Sequence, residues 1–85
     1  SRMTTVTGTK TITNTAAAVF AGSSVLASRV FLYVRNLDDS VAILINGRIV
    51  EPGEEIKLKL KASESVTIMG QSTGRAVRAL VQEVA

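Results

Sequence analysis

The chain has 85 residues, enough for one domain, with ten Lys and Arg against seven Asp and Glu for a net charge of +3. Its 46% hydrophobic content excludes a disordered chain, and no apolar run approaches the ~20 residues that span a bilayer. With neither Cys nor His, the chain has no disulfides, none of the usual zinc ligands and no Ser–His or Cys–His catalysis.

Residues 4–15 carry seven threonines in a near-alternating string, with Val6 and Ile12 as the only clearly apolar groups and Gly8 between them. Threonine favours extended structure. The predicted element is an edge strand or an extended N-terminal arm over residues 1–15, followed by one domain over 16–85. Residues 16–26 are ambiguous, because the alanines favour helix while Gly22-Ser23-Ser24 interrupts it. A short strand at 17–21 and then a loop is the reading adopted.

Residues 29–36 make a strong strand. Val30, Leu32 and Val34 fall on one face, and Phe31 and Tyr33 on the other, bracketed by Arg29 and Arg35. Both faces are apolar at mid-strand, which predicts a central strand covered on both sides. Asn36-Leu37-Asp38-Asp39-Ser40 is a turn whose side chains bond to their own backbone. Val41–Ile45 and a short return at 48–50 flank Asn46-Gly47, a type I′ hairpin turn.

Glu51-Pro52-Gly53-Glu54 fits a type II turn, with proline at the first central position and glycine accepting positive φ at the second. It leads to the clearest pattern in the chain. Ile56, Leu58 and Leu60 alternate with Lys57, Lys59 and Lys61, so a strand puts every apolar group on one face and every cation on the other. Ala62-Ser63-Glu64 turns the chain into a strand at 65–69, and 70–74 is a loop. In the last segment, 75–84, Val77, Leu80, Val81 and Val84 stand at helical spacing. The three valines and the strand-rich neighbourhood favour a closing strand instead.

No residue set reads as catalytic. Asp38-Asp39 and Glu54-Glu55 are adjacent in sequence, so their side chains diverge in extended structure, and both pairs sit in turns. Surface lysines beside Ser63 and Ser65 keep their protons at neutral pH and cannot serve as bases. No metal, cofactor or phosphate-binding pattern is present. The lysine stripe reads as a solvated face that also discourages edge-to-edge pairing, with docking on an acidic surface as the alternative.

The run from Arg29-Val30-Phe31-Leu32-Tyr33-Val34-Arg35-Asn36, through Val41–Gly47 and the Glu-Pro-Gly-Glu turn, to Ala76-Val77-Arg78-Ala79-Leu80-Val81-Gln82-Glu83 covers roughly residues 29–83. It resembles the small β-sandwich structural proteins of tailed bacteriophage virions, of the capsid-decoration, head-fibre and tail-associated types. The resemblance implies no catalytic residues. The threonine string departs from the pattern and suits a decoration protein, whose N-terminal arm lies along the shell.

The fold expected is all-β, a small sandwich or partly closed barrel of six to eight short antiparallel strands. The function expected is non-enzymatic: a virion protein on the capsid surface or tail that decorates or cements the shell as a homo-oligomer, with a trimer as one arrangement. Its partners are then its own copies and the major capsid protein or another virion protein, with no membrane and no nucleic acid. Phe31, Tyr33, Arg29 and Arg35 are the candidate subunit interface. Arg2, Thr5, Thr7, Thr9, Lys10 and Ile12 are the candidate capsid-contact arm, and Lys57, Lys59 and Lys61 the basic face. The rival is a small nucleic-acid-binding barrel that uses the basic and aromatic face of 29–35.

Overall fold

The computed structural model describes residues 3–72 and 74–85, and over them the chain is an all-β sandwich of antiparallel strands. In chain order these are β1 (Thr5–Ile12), β2 (Ala17–Ala18), β3 (Phe31–Asn36), β4 (Ile43–Ile45), β5 (Arg48–Val50), β6 (Glu55–Lys59), β7 (Thr67–Gly70) and β8 (Val77–Val84). One four-stranded sheet has the order β1-β8-β3-β6, and the other β2-β7-β4-β5.

Alternation decides which face each strand buries. Leu32 and Val34 from β3, Ile56 from β6 and Val77, Ala79 and Val81 from β8 point inward from the first sheet. Ile43, Ile45, Val50 and Ile68 meet them from the second. The two hairpin turns take the geometry that their sequences require. Asn46 and Gly47 have φ of 49° and 79°, as a type I′ turn demands. Gly53 has φ 78°, and the Glu54 N–H donates to the Glu51 carbonyl at 3.0 Å across Pro52-Gly53.

Two sequence expectations change here, at 17–21 and in the cover of β3, while the closing strand favoured for 75–84 is present as β8. The element at 17–21 shrinks to Ala17–Ala18, because Val19 and Ala21 turn into the core while Gly22-Ser23-Ser24 leaves the sheet. The helical spacing at 77–84 is overridden: β8 lies between β1 and β3 and pairs with both along its length. Ladder bonds on two sides outweigh a four-residue apolar coincidence, and Leu80 and Val84 are left on the outer face. β3 is central as expected, between β8 and β6, yet the second sheet covers only its Leu32 and Val34 side. Phe31 and Tyr33 face away from the core.

The threonine string is an edge strand in register with β8 from Thr5↔Val84 to Ile12↔Val77. Gly8 is required within it. A Cβ there would lie 2.2 Å from the Ala21 carbonyl oxygen, so the crossing of residue 21 under β1 depends on a missing side chain.

Candidate functional site

The outer face of the first sheet is its open surface, and the register sets its rows. Thr5, Val84, Phe31 and Lys59 form one row across the four strands. Thr7, Gln82, Tyr33 and Lys57 form the next, and Thr9, Leu80, Arg35 and Glu55 the third. Phe31, Tyr33 and Leu80 are half-buried, and the threonines are exposed. The Lys57 ammonium sits 4.4 Å from the Phe31 ring centroid and 5.7 Å from that of Tyr33, a cation–π arrangement that orders the cation on the rings. Arg35 Nε is 3.6 Å from Glu55 Oε2 with both side chains solvent-exposed, a pair that contributes little. Lys59 and Arg78 extend the positive field.

Beside this face lies the free edge of β1. Thr4 and Ala85 exchange both backbone hydrogen bonds, at 2.7 and 2.8 Å. Antiparallel pairs alternate between bonded and non-bonded, so Val6, Gly8, Lys10 and Ile12 also bond towards β8. The N–H and C=O groups of Thr5, Thr7, Thr9 and Thr11 therefore point away from the sheet. Among the described residues none of the four has a backbone partner on that side.

Several candidate residues lie elsewhere. Arg29 does not join Phe31, Tyr33 and Arg35. Ser28 has φ 58°, the strand starts only at Phe31, and the broken alternation turns Arg29 inward to 5% exposure. Ile12 is a core residue at 6% exposure, which removes it from any arm contact. Lys10 also points inward, its ammonium on the Gly22 carbonyl and 4.3 Å from the Phe20 ring centroid. Lys61 lies past the end of β6, in a turn where Ser63 has φ 62°, so the stripe within the strand is Lys57 and Lys59. Arg2 lies outside the described residues. Thr5, Thr7, Thr9, Phe31, Tyr33 and Arg35 are brought together on one surface.

Glu83 is the residue that sequence reasoning missed. It is fully buried, on the inner face of β8 in line with Val77, Ala79 and Val81. Oε1 accepts the Ala21 N–H at 2.7 Å; Oε2 accepts the Leu26 N–H at 3.0 Å and Arg29 Nη1 at 2.8 Å. Arg29 Nη1 also donates to the Val19 carbonyl at 2.6 Å. The irregular stretch between β2 and β3 has backbone donors facing the core, and this carboxylate satisfies two of them. A period-2 reading of 77–83 carries the signal, since an acid in an apolar row needs a buried cation.

The Asp38 turn is also built differently from a solvated one. Asp38 Oδ2 accepts the Ser40 and Val41 N–H groups, and Arg75 clasps the carboxylate at 2.6 and 3.0 Å. The Arg75 guanidinium, with these amides, holds the Asp38 carboxyl far below the usual carboxylate range. The same contact raises Arg75 above its ordinary value.

In comparisons with known proteins, no protein-family model and no curated protein matches the chain.

Proposed function

We propose that this chain is a non-enzymatic structural protein of a tailed-bacteriophage virion, one that decorates or cements the capsid shell as a homo-oligomer. The observation that carries the reading is the open outer face of the first sheet. Half-buried Phe31, Tyr33 and Leu80 lie there beside exposed threonines and an unpaired strand edge. A domain of this size gains from completing its burial against other protein, and aromatic residues and arginine, here Phe31, Tyr33 and Arg35, are enriched at protein contacts. Arg35, Lys57, Lys59 and Arg78 against Glu55 make the face positive, which fits an acidic shell surface.

The nucleic-acid reading is weaker for a physical reason. Bases stack on exposed ring faces, whereas Lys57 already lies over both rings.

Co-sedimentation with empty shells tests the proposal. The wild-type chain should pellet with shells, less so as salt rises, and Tyr33→Asp should abolish the association while its folded circular dichroism spectrum is kept. Binding to single-stranded DNA that weakens steeply with salt, without pelleting on shells, would overturn it. Deleting residues 1–13 is unsuitable as a test, since it removes an entire paired strand and the core residue Ile12.

A further inference from the structure

We propose that the free edge of β1 is the docking site for a second copy of the same strand. The two β1 edges pair antiparallel about a two-fold axis at Gly8 and join two first sheets into one continuous sheet. For the existence of self-association this rests on the virion reading above; the geometry comes from the strand itself.

Only residues whose N–H and C=O face the open side can form bonded pairs, and these are Thr5, Thr7, Thr9 and Thr11. The register centred on Gly8 sets Thr5 opposite Thr11 and Thr7 opposite Thr9 of the second copy. Each such pair exchanges two backbone hydrogen bonds, so all four residues of each strand are satisfied. Centring on Thr7 sets Thr11 opposite Met3, outside the strand, and centring on Thr9 sets Thr5 opposite Thr13, whose carbonyl already accepts the Gly70 N–H.

The outer side of this pairing is threonine on threonine, a favourable cross-strand combination that brings no charges together. On the inner side Val6 meets the stem of Lys10, whose ammonium is already held by Gly22 of its own chain. The pairing ends naturally, because the Thr13 carbonyl accepts the Gly70 N–H as the chain crosses to the other sheet.

The opposite edge shows the difference. In β6 the groups facing outward belong to Glu55, Lys57 and Lys59, and the register that uses all three sets Lys57 against its own copy. Lysines on an edge strand oppose pairing. β1 has eight residues, no proline and no outward-facing charge, the features of an edge open to another strand.

The experiment uses light scattering on the purified chain and two double substitutions. The wild type should weigh twice the 9.0 kDa of a single chain. Thr7→Lys with Thr9→Lys sets lysine opposite lysine and should halve the mass. Thr7→Lys with Thr9→Glu sets lysine opposite glutamate in the Gly8-centred register and should restore the doubled mass. Independently of any substitution, the Thr7 and Thr9 amides of the wild type should be protected from hydrogen exchange, and dilution should release them. A 9.0-kDa wild type with freely exchanging amides, or a Lys/Lys variant that keeps the doubled mass, overturns the proposal. A doubled mass without shell binding would leave this pairing standing and remove the virion reading; shell binding by a single-chain protein would remove the pairing and the homo-oligomer and keep only the shell contact.

Discussion

Arg29–Glu83 and Arg75–Asp38 meet at nearly the same distance, 2.8 and 2.6 Å, but differ in how far the arginine is in solvent. The first pair is 5% and 1% exposed; in the second, Asp38 is 10% exposed but half of the Arg75 side chain is in solvent. Burial makes the difference. A buried pair has lost its hydration and depends on every bond around it, whereas an exposed pair exchanges its partner for water at little cost. Glu83 therefore ties Ala21, Leu26 and Arg29 to β8, while Arg75 and Asp38 secure one turn.

Removing the buried carboxylate should have the largest effect. Glu83→Ala leaves a buried guanidinium and two loop amides unpaired, and should lower stability by about 3–5 kcal/mol in urea unfolding. A loss near that of an ordinary surface substitution would erase the contrast between the two pairs.

The double replacement Arg29→Met with Glu83→Met sharpens the comparison. Exchanging a buried ion pair for apolar residues is often neutral or stabilising. Here the Ala21 and Leu26 amides lose their acceptor, at about 1–3 kcal/mol for each unsatisfied group, so the double variant should remain less stable than wild type. Full recovery would mean that the loop amides find other partners, and that Glu83 serves only to neutralise Arg29.

The smallest effect belongs to the exposed pair. Asp38→Asn keeps an acceptor for the Ser40 and Val41 amides and loses only the charge, so it should shift the melting temperature less than Asp38→Ala. Arg75, with the turn amides, lowers the folded Asp38 pKa below the unfolded value of about 3.9. The folded chain thus binds this proton less readily than the unfolded one. The stabilisation is complete above about pH 5 and is lost as the pH falls below about 4 towards the folded titration point. Wild type and Asp38→Asn should therefore converge in stability on acidification; a gap that widens towards low pH would contradict the sign.

Much of the fold could be read in advance because it is written in local chemistry. The alternation at 55–60 sets the inward side chains of β6 whatever lies beside it, and Asn46-Gly47 and Pro52-Gly53 carry their backbone angles with them. The candidate surface was legible where the strand was regular, at Phe31, Tyr33 and Arg35 and at Thr5, Thr7 and Thr9. It failed where regularity failed. Period-2 counting from Tyr33 back to Arg29 crosses Ser28 and a stretch outside the strand, and there the count loses its meaning.

By itself, then, the sequence determined the β class, the turns and the two-faced strands, because these follow from side-chain sterics and from spacing within a few residues. Only the tertiary structure decided that β8 lies between β1 and β3, that Glu83 reaches Arg29 and the loop amides, that Arg75 finds Asp38, and which strand edge stays open. Those outcomes depend on pairings between residues tens of positions apart, and no local pattern encodes which distant strand supplies a partner.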